Sequence, residues 1–250
     1  MTCFVISRYF FGPIIPLRTS KCNSVNFLLF IFLPNWKNQN STKITNKSGN
    51  LSEVWNNKFF QSTIPLGLFN YGGIMAIQTL WAGPWMVRVT GYTPLESATG
   101  LFWINVTMLI AFLIWGYLLP KISSSVKDAV KLIKLGLPIS YIILFTLIIL
   151  GEKAGVFLIT FYILTSIVLS LAQPAVAMKF PTNLAGKSLT SFNLLIFVGT
   201  FIVQWSIGLL IDISRNYGFD EVKSFQISFM VYLLICILSY FYFVVRNKDA

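Results

Sequence analysis

The sequence contains no histidine among its 250 residues, so the usual proton shuttle and the commonest metal ligand are both missing. Its three cysteines, Cys3, Cys22 and Cys236, match no metal-site spacing and cannot all pair with one another. A serine or cysteine nucleophile would have no histidine to activate it. These absences predict a protein that is not an enzyme and that uses no metal or cofactor.

Charged residues are also scarce, at 11% of the chain, and basic residues outnumber acidic ones, which gives a net charge of +11. The basic residues lie in short connections between apolar runs and not on one basic face, so we expect no nucleic-acid partner. Hydrophobic residues make up 56% of the chain, and the mean hydropathy is +0.73. A soluble protein of this size could not bury so much apolar surface, whereas a lipid bilayer can cover it.

Six apolar runs are each long enough to cross about 30 Å of hydrocarbon, and none has a charge in its central portion. They cover residues 62–86, 95–119, 132–150, 154–177, 188–212 and 224–245. Before them come an unclear segment at 1–34, whose residues 25–34 look like the tail of a preceding membrane helix, and a polar, Asn-rich loop at 35–61. The pattern predicts an all-α integral membrane protein, with a six-helix transmembrane domain at 62–247.

The connections between the runs carry different charge on the two sides of the predicted membrane. Twelve Lys and Arg residues lie on one side, and four, Arg88, Lys153, Arg215 and Lys223, lie on the other. Because basic loops are retained in the cytoplasm, this asymmetry predicts a multi-pass inner-membrane protein whose 35–61 loop and C-terminus are cytoplasmic.

The first run contains the sequence GGIMAIQTLWAGPW at residues 72–85. On a regular α-helix its polar face would contain residues at i, i+4, i+8 and i+11, namely Asn70, Ile74, Gln78 and Trp81, and its lipid face would contain Leu66, Ile77 and Leu80. Gly72 and Ala76 form a small-xxx-small pair that would let a second helix approach closely. Trp85 fits the aromatic belt at a membrane interface.

Polar side chains recur on the first, second, fourth and fifth runs, whereas the third and sixth suit lipid and packing. An amide in hydrocarbon is costly unless it faces another helix or a water-filled cavity. The candidates for lining a substrate cavity are Asn70, Gln78, Trp81, Asn105, Tyr162, Gln173, Asn193 and Gln204. The plainer alternative is that each amide only bonds a neighbouring helix.

Three other sequence patterns are weaker indications of function. Residues 185–188 (AGKS) have the tail of a phosphate-binding loop, but Pro181 stands where the pattern needs glycine and no strand precedes it. Pro138 and Pro174 lie inside apolar runs and predict kinks, which serve either as gates or as simple curvature.

The sequence has six predicted helices after a basic loop, with GGIMAIQTLWAGPW in the first helix and KSLTSFNLLIFVGTFIVQWSIGLLID in the fifth. On these features it resembles, over about residues 25–247, the C-terminal half of a major facilitator superfamily transporter. GYLLPKISSSVKD, around Gly116 and Lys121, resembles a degenerate copy of the family's loop motif. The resemblance implies helices seven to twelve of that fold, arranged as two inverted three-helix repeats with the first, second, fourth and fifth helices around a central cavity. The family's N-terminal six helices have no counterpart here, and residues 1–24 match nothing in its pattern.

The resemblance implies a secondary active permease for a small polar solute, of which this chain would be the C-terminal half and a separate N-terminal six-helix half a partner. Two alternatives stay open. The chain could be a truncated fragment that transports nothing, or a six-helix channel or membrane assembly partner of another class.

Overall fold

The computed structural model describes residues 50–123 and 125–248. Within them the chain is helical almost throughout and contains no strand, which agrees with the predicted all-α class. The predictions for residues 1–34, and for residues 35–49 of the polar loop, lie outside the described residues.

The first apolar run forms one unbroken helical stretch over residues 58–88, which we call the first helix, but its hydrogen bonding alternates between α and π type. In the π segments each hydrogen bond spans one residue more than in an α-helix. A short helix precedes this stretch. The bounds are α1 Leu51–Trp55, α2 Lys58–Pro65, a π segment Leu66–Tyr71, α3 Gly72–Ala76, a π segment Ile77–Trp81 and α4 Ala82–Arg88.

The other five runs also form helices. Their bounds are α5 Pro94–Ile122, α6 Val126–Leu150, α7 Val156–Thr165, α8 Ala172–Lys179, α9 Thr182–Asn216 and α10 Glu221–Arg246. A 3-10 segment, Ser166–Leu171, joins α7 to α8 into one span. Helix α6 continues through Pro138. The 3-10 segment ends at Leu171, three residues before Pro174, and the ring nitrogen of Pro174 has no hydrogen to donate to the Ser170 carbonyl as a regular α-helix requires.

Side-chain caps explain why several helices begin before the apolar runs do. The Asn57 side chain accepts from the backbone N–H groups of Phe59 and Phe60 at 2.9 and 3.2 Å, which starts α2 at residue 58 and not 62. Ser125 and Asp128 form a reciprocal capping box, which starts α6 at residue 126 and not 132. Polarity alone therefore placed these boundaries too late.

Five helices among the described residues are long and apolar enough to cross a membrane by length and composition. They are Pro94–Leu119, Val126–Lys153, Val156–Lys179, Thr182–Asn216 and Glu221–Arg246. The first helix, residues 58–88, is not among them. Five such helices are the signature of a multi-pass membrane protein.

The first helix and α9 touch backbone to backbone. A Cβ added to Gly72 would lie 2.7 Å from the backbone of Gly199 and Thr200, and one added to Gly199 would overlap the carbonyl oxygen of Leu68. The close approach expected at Gly72 is therefore present, with α9 as the partner helix. Membrane helices associate through such small residues because lipid already satisfies their apolar side chains.

Several side chains of the first helix face differently from the prediction. Trp85 is only 1% exposed, its ring packs against Phe225 and Phe229 of α10, and its indole N–H donates to the Ala154 carbonyl at 3.2 Å. The interfacial-belt interpretation of Trp85 is therefore wrong. The predicted lipid face is also wrong in part, since Leu80 is exposed but the other two members, Leu66 and Ile77, are buried.

A small ion-pair cluster marks one end of the bundle. The Arg88 and Arg215 guanidinium groups lie 3.0 and 3.3 Å from the same carboxylate oxygen of Glu221. All three side chains are partly exposed, so each pair contributes at most about 1 kcal/mol. The cluster shows that the end of the first helix, the end of α9 and the start of α10 lie together.

The opposite end joins the start of the first helix to α6 and to the end of α10. The Asn247 side chain donates to the Ser62 hydroxyl at 2.8 Å, and the Lys134 ammonium donates to the Asn247 carbonyl. Nine Lys and Arg and two acids among the described residues lie at this end, against four basic and five acidic residues at the other. The charge asymmetry read from the sequence thus corresponds to the two ends of the folded bundle.

Candidate functional site

The eight candidate residues fall into two settings, one buried between helices and one on an open face. Asn70 belongs to the buried setting, at 2% exposure. Its side chain donates to the Cys236 carbonyl and the Ser239 hydroxyl of α10, at 3.3 and 3.1 Å, and accepts from the Tyr141 hydroxyl of α6 at 2.6 Å. Asn70 thus fastens the first helix to α6 and α10, the two helices expected to carry no polar role.

Tyr162 is buried as well. Its hydroxyl lies 3.1 Å from the hydroxyl of Tyr232, which ties α7 to α10. The Tyr232 ring in turn fills the space beside Gly73, where a Cβ would collide with it. Asn70 and Tyr162 therefore act as packing contacts, which is the plainer alternative considered for the polar side chains.

Gln78 and Asn105 form the first contact of the open face. The Gln78 amide donates to the Asn105 side-chain oxygen at 3.2 Å, and the Asn105 amide donates to the Leu101 carbonyl of its own helix at 2.7 Å. Asn105 is exposed and Gln78 half-buried. The pair connects the first helix to α5.

Gln204 and Trp81 form the second contact. The Gln204 amide donates to the Thr79 hydroxyl at 3.0 Å, and the Trp81 indole N–H donates to the Gln204 carbonyl at 3.2 Å. Together they connect the first helix to α9. Thr79 was missed by the sequence reasoning, which considered amides and aromatic groups; its position next to Gln78 was the only available signal.

Gln173 and Asn193 form a third contact, nearer the other end of the bundle. The Gln173 amide donates to the Asn193 side-chain oxygen at 2.8 Å, and both side chains are half-buried. This bond connects α8 to α9. The three contacts thus join four spans in the order α5, first helix, α9, α8, which are the second, first, fifth and fourth runs.

Four of these side chains, which we call the amide band, lie at one depth: Gln78, Thr79, Asn105 and Gln204. The three amides are 10 to 12 residues from the end of their helices, at Arg88, Pro94 and Asn216, or about 15–18 Å at the rise of a helix. The ion-pair cluster places the helix ends at Arg88 and Asn216 together, and the short connection 89–93 joins Arg88 to Pro94. The amide band therefore lies near the middle of a bilayer-sized bundle.

Asn70 and Gln78 were expected on one face and lie on two. The expectation assumed about 100° of turn per residue, whereas the two π segments of the first helix turn less per residue. At Gln78 the chain has therefore turned less about the helix axis than a regular α-helix would. As a result Asn70 faces α6 and α10, whereas Gln78 faces α5.

Large apolar side chains surround the amide band on the open face. Phe102 and Trp103 of α5 and Phe201 and Trp205 of α9 are all more than half exposed. Between the first helix, α5 and the 3-10 segment the packing leaves a small apolar recess with room for about one water molecule, lined in part by Tyr71, Met108 and Ser170. The open face is therefore a surface, and the described residues do not close it into a chamber.

The chemistry of the amide band is neutral hydrogen bonding. Amides and a threonine hydroxyl both donate and accept, and the band contains no charged side chain. The described residues also contain no group of three or more metal-binding side chains. Such a surface can orient a small polar solute, but it offers neither a catalytic proton donor nor a strong clamp for an anion.

Comparison of the chain with protein-family models, with curated proteins and with solved structures gives no match in any of the three.

Proposed function

We propose that the chain is one half of a secondary active transporter of the major facilitator type, and that the amide band is part of the wall of its solute site. The observation that carries the proposal is a polar, partly exposed band at mid-depth on a face that is otherwise apolar. Amide groups that face lipid are costly, since their remaining hydrogen-bonding capacity finds no water there. The cost is removed if a second unit covers the open face and water fills the space between the two units.

The arrangement of helices supports this assignment. The spans that share the open face are the first, second, fourth and fifth runs, while α6 and α10 pack behind them and expose apolar residues elsewhere. Transporters built from three-helix repeats hold their solute at mid-membrane between two such units and rock one unit against the other. The resemblance of the sequence to helices seven to twelve of the major facilitator superfamily supports the same arrangement, in an inner membrane with the basic end in the cytoplasm.

Cysteine labelling tests whether the amide band is in contact with water. In a background with Cys3→Ser and Cys22→Ser, we expect Gln78→Cys and Gln204→Cys to react with a charged, membrane-impermeant thiol reagent in native membranes. Only a hydrated thiol ionises readily, so the rate should exceed that of a lipid-facing thiol by about tenfold or more. Cys236 can stay, because its side chain is buried.

Matched controls for the labelling are Ile139→Cys on α6 and Leu234→Cys on α10, whose side chains are 53% and 54% exposed. They lie 11 and 13 residues from the helix ends at Leu150 and Glu221, which is close to the depth of the amide band. Both should stay unreactive, since they face lipid. Equal rates at all four positions, or no reaction at Gln78 and Gln204, would show that the open face is not hydrated and would remove the basis of the proposal.

Gln78→Leu should separate solute contact from helix packing. We expect membrane insertion to be unchanged and the free energy of unfolding to change by less than about 0.5 kcal/mol, because a water-exposed amide pair contributes little. Uptake of a panel of small polar solutes into vesicles containing both halves should fall sharply. Asn70→Leu is the contrasting variant: it removes the buried hydrogen bonds of Asn70 to Ser239, Tyr141 and the Cys236 carbonyl and should cost about 1–3 kcal/mol. If Gln78→Leu behaves like Asn70→Leu, Gln78 is a packing contact.

A further inference from the structure

The start of α6 and the end of α10 are fastened together at the basic end of the bundle. The Lys134 ammonium donates to the Asn247 carbonyl, and the Tyr240 hydroxyl donates to the Lys134 carbonyl at 2.7 Å. The Tyr141 and Tyr240 rings also meet edge to face, with 5.7 Å between their centroids. Residues at the start of α6 and at the end of α10 therefore form one local surface.

Four cationic side chains are exposed on this surface: Lys127 and Lys131 on α6, Arg246 at the end of α10, and Lys248 two residues after it. The carboxylate beside them is Asp128, which accepts from the Ser125 backbone and hydroxyl at 3.1 and 2.7 Å and so caps the start of α6. Among the residues that the structure describes, one carboxylate against four cations leaves the surface positive.

Apolar stripes lead directly away from these cations along both helices. On α6 the exposed residues continue from Lys131 at helical spacing through Leu135, Ile139 and Ile142. On α10 they continue from Arg246 through Tyr242 and Leu238, and the Arg246 guanidinium lies 5.5 Å from the centroid of the Tyr242 ring. Each cation pair thus stands at the end of a surface that faces hydrocarbon.

We propose that this surface binds an anionic phospholipid, which we call the lipid site. The phosphate lies between Lys127 and Lys131 on one side and Arg246 and Lys248 on the other, and the acyl chains lie along the stripes of α6 and α10. A cationic head region joined to an apolar stripe matches a lipid with two chemically distinct parts. A free phosphate would use only the cations. The lipid site lies on the helices behind the open face, so it does not depend on the transport proposal.

Native mass spectrometry of the full chain in micelles tests the lipid site. With phosphatidylglycerol as the probe, we expect tighter binding than with phosphatidylcholine. Lys127→Gln/Lys131→Gln should weaken phosphatidylglycerol binding by about tenfold or more, since each basic residue near an anionic headgroup is worth about 1 kcal/mol. Lys127→Arg/Lys131→Arg should retain the binding, which shows that loss in the Gln variant is not a folding failure.

The matched control is Lys153→Gln/Lys223→Gln, which removes the same charge from exposed residues at the other end of the bundle. It should change the affinity less than about twofold. The proposal is overturned if both Gln variants weaken binding equally, because net charge alone would then explain it. It is also overturned if the two lipids bind alike, or if glycerol phosphate without acyl chains competes as well as the intact lipid.

Discussion

Gly199→Ala should destabilise the bundle by about 3 kcal/mol, the upper end of the usual range for overpacking. The added methyl group would overlap the Leu68 carbonyl oxygen, and Gly72 of the first helix lies directly against the same point of α9. A side chain in such a position could change rotamer, but two backbones in contact cannot yield without separating the helices. Separation would also break the contact between Gln204 and Thr79. The measurement is the midpoint of unfolding in a denaturing-detergent titration followed by circular dichroism.

The same helix offers the matched control, Gly186→Ala. Nothing lies within 4 Å of a Cβ added at Gly186, which is exposed near the start of α9. Alanine favours a helix over glycine by up to about 1 kcal/mol, so the control should keep or slightly raise the stability. Two variants with the same midpoint would show that the first helix and α9 do not meet at Gly199.

Trp85→Ala should be the other strongly destabilising substitution. The Trp85 ring packs against Phe225 and Phe229, with centroids 6.3 and 4.8 Å away, and its N–H donates to the Ala154 carbonyl. Removing a large buried aromatic side chain costs about 3–5 kcal/mol in soluble proteins. In a membrane the side chain of the unfolded protein is surrounded by lipid and not by water, so the free energy of transferring it into the protein interior is smaller. The cost of the cavity that the substitution leaves in the packed interior remains. We therefore expect a loss of about 2–3 kcal/mol.

Trp205→Ala is the comparison for Trp85→Ala. The Trp205 side chain is 63% exposed on the open face, so its removal leaves no internal cavity and should change the free energy of unfolding by less than about 0.5 kcal/mol. If a second unit covers the open face, Trp205→Ala should instead weaken association with that unit. An equal loss of stability in both variants would contradict the burial of Trp85.

The helical class and the charge asymmetry could be predicted from the sequence because each depends on a sum over many residues. Polarity alone located a helix in each of the six apolar runs, but it left α1 inside the predicted polar loop and began several helices late, since it does not register caps such as Asn57. The partners of the amides could not be predicted, because a bond such as Gln204 to Thr79 depends on which helices are neighbours. Residues 125 positions apart in the chain carry no local signal of their contact.

Tryptophan was the residue whose position was hardest to infer. Trp81 and Trp85 lie one helical turn apart in sequence, and Trp81 was expected to line a cavity and Trp85 to join an interfacial belt. Instead Trp85 is enclosed by protein, and Trp81 lies half-buried at the edge of the open face. Phe225 of α10 lies edge to face with both rings, at 6.0 and 6.3 Å, but Trp85 also packs against Phe229 at 4.8 Å and donates to the Ala154 carbonyl. A pattern within a single helix cannot report where another helix packs.

The π segments let the first helix hold an extra residue without turning its later side chains away from their partners. Six π-type residues, at about 80° each, turn the chain about as far as five α-helical residues at about 100°, so deleting one residue from Leu66–Tyr71 would let that segment close as ordinary α-helix while Gln78 and Trp85 keep their present directions. A deletion in an α piece such as Gly72–Ala76 would instead turn every later residue by about 100°. Gln78 would then leave Asn105, and Trp85 would leave its aromatic partners, although no side chain in either contact had been replaced.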